Sequence, residues 1–168
     1  MKPMSFDTRA ARDGAPGPLP GHVGQTTASD SPAWARLVDG QFDLLQARYR
    51  PSGGLREGNE VAQVLRSASA QPISKLARWI VDRRVVCIFW RSQTHIPMFQ
   101  FDIHSMMPRE GLPAVLRELT ALHDDWGVAL WFSEPSVWLA GKCPADVFAQ
   151  DAEAVQDAAR RDRFIARG

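Results

Sequence analysis

The sequence predicts a mainly α-helical protein with one β-hairpin. Apolar residues recur at three- to four-residue spacing in several segments, which is the period of a helix with one buried face. Two β-rich runs, Val85–Trp90 and Ile96–Phe101, flank the polar stretch Arg91–His95. Such a pattern is typical of a hairpin.

The composition indicates a globular chain. Its 168 residues suffice for one domain or two small ones, and 45% are hydrophobic, so a core can form without disulfides or metals. Cys87 and Cys143 lie far apart, and the apolar run around Cys87 favours a buried thiol. The N-terminus lacks an apolar signal core, and no run approaches the ~20 apolar residues of a membrane span. We therefore expect a soluble, cytoplasmic protein without membrane contact.

The net charge of +1 conceals an uneven distribution. Residues 1–60 carry seven basic and seven acidic side chains. Residues 61–100 carry six basic side chains against Asp82 alone, and residues 101–168 carry seven basic and eleven acidic ones. A basic middle before an acidic end predicts two surfaces with different partners.

The first fifty residues divide into an arm and a helix. Residues 1–30 contain four prolines and four glycines without a hydrophobic period, which predicts a disordered N-terminal arm. Ser31 and Pro32 form a typical helix start, so residues 31–50 are predicted as a packing helix or, alternatively, a dimerisation helix. Its apolar stripe comprises Trp34, Leu37, Val38, Phe42, Leu45 and Tyr49.

Residues 55–102 predict two short helices followed by the hairpin. The first has Val61, Val64 and Leu65 on its inner face. The second begins at Pro72, and its inner face comprises Ile73, Leu76, Ala77 and Ile80. This order is that of a small winged helix-turn-helix, and the segment resembles excisionase-like and related antitoxin DNA-binding modules.

The outer face of the second helix and the hairpin supply the nucleic-acid-binding candidates. They are Ser74, Lys75, Arg78, Arg84 and Arg91. Phosphate contacts require cations, and base reading requires side chains on one exposed helix face. The alternative is an ordinary solvated surface. One short module would bind DNA weakly, so we expect a homodimer on operator DNA.

Residues 103–168 predict a compact helical domain. A helix that begins near Pro113 carries Leu112, Val115, Leu116, Leu119 and Leu122 on one face. In Trp126–Val155, Ser133 is expected to cap a helix with Pro135 in its first turn, and Gly141 is expected to end it. Pro144 opens another helical turn, and Asp151 caps the final helix.

This C-terminal spacing resembles the toxin-binding domain of Xre/MbcA/ParS antitoxins. The pattern is an aromatic or leucine pair, then Pro-x-x-x-Leu-x-Gly, then x-x-Pro-x-Asp and a helix. The matching residues are Trp131, Phe132, Pro135, Leu139, Gly141, Pro144, Asp146 and Val155. The resemblance implies the antitoxin of a type II toxin–antitoxin system, with a RES-domain NAD-degrading enzyme as one expected toxin class.

The C-terminal end is the second source of partner contacts that the resemblance implies. In Arg160–Gly168, four arginines accompany Asp162, which suits a helix end because cations offset the negative carbonyl pole. The adjacent Phe164 and Ile165 do not suit a solvated end. The partner-binding candidates are Trp131, Pro135, Trp138, Leu139, Arg163, Phe164 and Arg167.

Other classes of function fit less well. The four histidines have no metal-ligand spacing, and no phosphate-binding loop or catalytic motif is present. We therefore expect no enzyme activity, no catalytic residue, no metal and no cofactor. The main alternative to an antitoxin is a DNA-binding transcriptional regulator or architectural protein without a toxin, whose C-terminal domain dimerises.

Overall fold

Seven helices surround one small sheet in the part of the chain that the computed structural model describes, residues 32–66 and 69–168. The helices are α1 (Pro32–Tyr49), α2 (Gly58–Leu65), α3 (Pro72–Val81), α4 (Leu112–Leu119), α5 (Asp125–Ser133), α6 (Pro144–Val147) and α7 (Ala152–Arg167). The strands are β1 (Leu55–Glu57), β2 (Ile88–Trp90) and β3 (Gln93–Pro97). The prediction of a mainly helical chain with a hairpin is confirmed. The predicted arm and the cap at Ser31 lie outside the described residues.

The hairpin is tighter than the sequence pattern indicates. Strands β2 and β3 pair antiparallel, with Trp90 opposite Gln93 and Ile88 opposite His95. Arg91 and Ser92 form the whole turn, with φ values of 46° and 63°, as two-residue hairpin turns require. The strand predicted over Ile96–Phe101 is correct at Ile96 and Pro97 and wrong beyond them, because pairing already starts at Gln93 and Met98–Gln100 forms a 3₁₀ turn.

Strand β3 lies in the middle of the sheet, between β1 and β2. Strand β1 has only three residues and pairs Arg56 with Ile96. Successive side chains of a strand point to opposite faces. Ile96 therefore packs on one side of the sheet against α2 and α3, and His95 lies on the other side against Phe42 of α1.

The smaller of two hydrophobic cores lies between the sheet and helices α2 and α3. Its buried members are Val61, Ala62, Leu65, Leu76, Trp79, Val85, Ile96 and Phe101. The predicted inner face of α3 is wrong at Ile73 and Ala77, which are exposed, while Trp79 is buried. A buried indole removes more apolar surface from water than an isoleucine, so the helix turns Trp79 inward and leaves Ile73 65% exposed.

The larger core joins α1 and the sheet to the C-terminal helices. Leu45, Val86, Ile88 and Phe99 belong to the same cluster as buried residues of α4, α5, α6 and α7. The Tyr49 hydroxyl donates a hydrogen bond of 2.6 Å to the Ala129 carbonyl oxygen in α5. Residues 55–102 and 103–168, predicted as successive units, thus contribute to one core.

Two further features qualify the expectations from sequence. Of the predicted stripe of α1, Phe42, Leu45 and Tyr49 are buried, whereas Leu37 is exposed. Among the described residues, no helix combines the length and the apolar character that a bilayer crossing requires.

His95 is buried against Phe42 of α1. Its ring lies edge-on to Phe42 and Trp90, and its Nε2 atom has no hydrogen-bond partner among the described residues. Burial lowers the pKa of His95, although Glu57 and Glu60 act in the opposite direction. The unfolded chain therefore binds the proton more readily, so stability is lost as pH falls below the ordinary histidine pKa of about 6.5.

We expect the free energy of unfolding to fall between about pH 7.5 and about pH 5, and to fall less in a His95→Phe variant. Urea titrations at several pH values measure the difference. His104→Gln, at an exposed histidine, is the matched control and should retain the wild-type slope. A His95→Phe variant with the same pH dependence as the wild type would contradict this role.

Candidate functional site

Local hydrogen bonds fix the C-terminal stretch where the resemblance lies. Asp124 caps α5 by accepting a hydrogen bond from the Gly127 amide at 2.8 Å, and Asp151 caps α7 through Ala154 at 2.9 Å, as predicted for Asp151. The predicted cap at Ser133 is wrong. Ser133 ends α5 and donates its hydroxyl to the Leu130 carbonyl oxygen.

The cap of the turn after α5 lies three residues later than the sequence pattern suggests. Ser136 caps the 3₁₀ turn Val137–Leu139 by accepting from the Trp138 amide at 3.3 Å. Pro135 therefore precedes the turn instead of lying in it. Gly141 has a φ of +77°, which satisfies the predicted left-handed position at its end.

Asp162 of α7 holds two tryptophans. Its Oδ2 atom accepts a hydrogen bond of 2.7 Å from Trp131 Nε1, and its Oδ1 atom accepts one of 2.7 Å from Trp138 Nε1. The guanidinium carbon of Arg161 lies 5.2 Å from the centroid of the Trp138 ring. Both indoles are thus oriented by one carboxylate that the sequence pattern did not single out.

Beside these tryptophans lies an exposed apolar surface. Phe164 is 81% exposed, Val137 is 83% exposed, and Ile165 and Trp138 are also exposed. Phe164, Ile165, Trp138 and Arg161 line one shallow depression of about 400 Å³. We call Val137, Trp138, Arg161, Phe164 and Ile165 the C-terminal patch.

The other partner-binding candidates have different environments. Leu139 is buried in the larger core, and Pro135 is exposed next to Trp131. Arg163 is half-buried and forms an ion pair with Glu118 of α4, which anchors α7. Arg167 is exposed and lines a second depression with Phe164.

The nucleic-acid-binding candidates lie on α3 and around the hairpin. Ser74, Arg78 and Arg84 are exposed. The Lys75 ammonium lies 5.1 Å from the centroid of the Trp79 ring, so its stem is partly buried. Arg91 pairs with Asp39 of α1 at 2.8 Å, and this hydrogen bond holds the pKa of Asp39 below its usual value. Helix α3 also exposes Ile73 and Ala77, which were expected on its inner face, beside Ser74 and Arg78.

Potential metal ligands and thiols were compared across the part of the chain that the structure describes. No group of three or more His, Cys, Asp or Glu side chains there is arranged to hold a metal ion. Cys87 and Cys143 are free and half-buried, and burial raises the pKa of both thiols. Raised pKa values disfavour the nucleophilic thiolate.

Comparisons with known proteins identify no relative of this chain. No protein-family model, no curated protein and no solved structure matches the chain. Functional inference therefore depends on the placement of its own residues.

We predict that Asp162→Ala releases Trp138. Removing one acceptor leaves two indole N–H groups without their partner, so the free energy of unfolding should fall by about 1–2 kcal/mol, and tryptophan emission should shift to longer wavelength. Urea unfolding followed by fluorescence measures both.

The matched control is Asp157→Ala on the same helix, which removes only an exposed ion pair with Arg160. Surface pairs contribute at most about 1 kcal/mol, so this variant should keep the wild-type spectrum. An Asp162→Ala variant that also kept the wild-type spectrum would show that the carboxylate does not orient the tryptophans.

Proposed function

We propose that this protein is the antitoxin of a type II toxin–antitoxin pair. It neutralises a partner toxin by direct contact through the C-terminal patch, and it binds the operator DNA of its own operon through α3 and the hairpin. The first activity is the main one, and the second regulates expression of the pair.

The exposure of the C-terminal patch carries this proposal. Single exposed apolar residues are common, but several that line one depression favour a protein-binding surface. Trp138 is a suitable interface anchor, because Asp162 already fixes its indole and little side-chain freedom is lost on binding. Val137 and Trp138 of this patch lie within the stretch that resembles the antitoxin toxin-binding domain, and Arg161, Phe164 and Ile165 lie on the helix that follows it.

Cations beside the patch suit a toxin with an acidic site. Arg160, Arg161 and Arg167 are exposed around Phe164. Arg163 is already paired with Glu118, so its main role is to hold α7 in place. Arg161 and Arg167 are therefore better placed to reach a catalytic acid of an NAD-degrading toxin or the mouth of its pocket.

The DNA-binding activity is supported by the order of the elements and by charge. The sequence β1–α2–α3–β2–β3 with sheet order β1–β3–β2 is compatible with a winged helix-turn-helix, in which α3 would be the recognition helix. Helix α1 lies on the opposite side of the sheet and leaves the outer face of α3 open. Ser74 can contact bases there, and Lys75, Arg78 and Arg84 can contact phosphates.

One observation favours the alternative, a DNA-binding regulator without a toxin. The C-terminal patch is apolar at its centre, and such a surface also suits a second copy of the chain. In that case the patch variants described below would change the molar mass in solution without changing protection against any toxin.

We predict that Lys75→Ala with Arg78→Ala weakens binding to the DNA upstream of the gene. If both side chains neutralise phosphates, the slope of log affinity against log salt should decrease in magnitude by about 0.9 for each phosphate that is no longer neutralised. Fluorescence anisotropy at several salt concentrations gives both quantities.

The control for this experiment is Arg50→Ala with Arg117→Ala, which removes two exposed cations away from α3 and the hairpin. Its salt slope should be that of the wild type. Equal loss of affinity in the two double variants would assign DNA binding to total charge and not to α3.

For the toxin, we predict that Phe164→Ser with Ile165→Ser abolishes protection in a co-expression growth assay with the product of the neighbouring reading frame. Two exposed side chains are changed, so the melting temperature should stay close to that of the wild type. Deleting residues 160–168 is a poorer test, because it also removes Asp162 and Arg163, which hold the tryptophans and α4.

Leu37→Ser with Leu44→Ser is the control, since it removes two exposed leucines of α1 far along the chain from the patch. Its growth curve should match the wild type. Full protection by the Phe164/Ile165 variant would exclude the C-terminal patch as the neutralising surface.

A further inference from the structure

A cavity of about 580 Å³ lies where the two cores meet. It is bounded by the turn after α1, strand β1, helix α2, the turn after β3, the loop that precedes α4, and α6. Its volume falls within the range of about 300–1,000 Å³ that is usual for small-molecule sites. Neither proposed surface uses this cavity, so it needs a separate explanation.

The wall of the cavity is mainly apolar. Met98, Phe99, Ile103 and Met106 provide aromatic and flexible aliphatic surface. Methionine side chains adapt to ligands of irregular shape because they are unbranched and polarizable. Met106 has a left-handed φ of 51°, which is unfavourable for a residue with a side chain, and Asp102 braces its loop by accepting from the Ser105 amide at 2.9 Å.

Two cations line the same cavity. Arg109 is half-buried, and its Nε atom donates a hydrogen bond of 3.0 Å to the Phe99 carbonyl oxygen, which fixes the direction of the side chain. Arg56 extends from β1. Neither arginine forms an ion pair with a carboxylate of the described residues. Asp146 also lines the cavity, so one positive charge remains in excess.

A partly buried guanidinium without an anionic partner is unfavourable, because its desolvation is not offset. A bound carboxylate would supply that partner with charge-assisted hydrogen bonds. An uncharged apolar molecule would fill the volume but leave the excess positive charge of the cavity uncompensated. The combination of an apolar wall and excess arginine therefore selects a molecule with one anionic end.

We propose that this cavity binds a small monocarboxylate with an acyl chain. The chain packs against Met98, Phe99 and Met106, and the carboxylate accepts hydrogen bonds from Arg56 and Arg109. Since the walls come from both sides of the sheet, the ligand braces α2 and β1 against α6. This inference does not depend on the proposed function.

The test is isothermal titration calorimetry of the full chain with decanoate, with decanol as the uncharged probe of equal chain length. Decanoate should bind at one site, at least about tenfold more tightly than decanol, since charge-assisted bonds contribute about 1.5 kcal/mol or more. Arg56→Gln should remove most of this preference, because the remaining charges of Arg109 and Asp146 then cancel. Arg56 is exposed on β1, so the variant should still fold. Arg50→Gln, an exposed arginine of the adjacent turn that does not line the cavity, should keep it.

Methyl NMR on the unmodified protein keeps the test independent of the variants. Decanoate should shift the methyl resonances of Met98 and Met106 more than that of Met107, which is exposed and outside the cavity wall.

Ala149→Trp should block binding, because the indole would occupy the cavity. Absence of decanoate binding, equal affinity for decanol, or shifts confined to residues outside the cavity would overturn the proposal.

Discussion

The structure depends on covering both faces of a very small sheet. Strands of three to five residues form few hydrogen bonds of their own, so a sheet this small depends on the helices that pack against it. Ile96 of β3 is buried with α2 and α3, while Ile88 of β2 is buried with the C-terminal helices. The sheet therefore fixes the position of one proposed surface relative to the other.

Covering both faces of the sheet buries two polar side chains, one in β3 and one in the segment that follows it. His95 occupies an apolar position without a partner for Nε2 among the described residues. Gln100 is also buried, but its amide is satisfied, since it accepts from the Val86 amide and donates to the Val86 carbonyl oxygen, both at 2.8 Å. The two hydrogen bonds of Gln100 hold Val86, which precedes β2, against the core. The His95 ring can stay buried as long as it remains uncharged.

Several helix starts could be predicted because their causes are local. Pro72, Pro144 and Asp151 mark helix starts within a few residues of the chain, and the apolar spacing marks the lengths. The inner face of α3 could not be predicted in the same way, since Trp79 and Ile73 compete for one core that distant segments complete. Strand β1 was missed because its three residues pair with β3, about forty residues further along.

In the candidate site, too, features set by neighbouring residues could be predicted, and features set by distant residues could not. Its location near Trp131 and Trp138 followed from a resemblance over neighbouring residues. The role of Asp162 did not, because its hydrogen bonds join residues 24 and 31 positions apart. Burial likewise distinguishes Leu139, which supports the core, from Phe164, which is available for contact.

The most direct measurement of the central claim is co-purification of the full chain with the product of the neighbouring reading frame, followed by hydrogen exchange on the complex. We expect a stable complex by gel filtration, with slowed exchange in the turn that carries Trp138 and in the last turns of α7, and with unchanged exchange in α3. Elution of the two proteins as separate species would contradict it. A complex that protected α3 and left the C-terminal patch exposed would contradict the assigned surface.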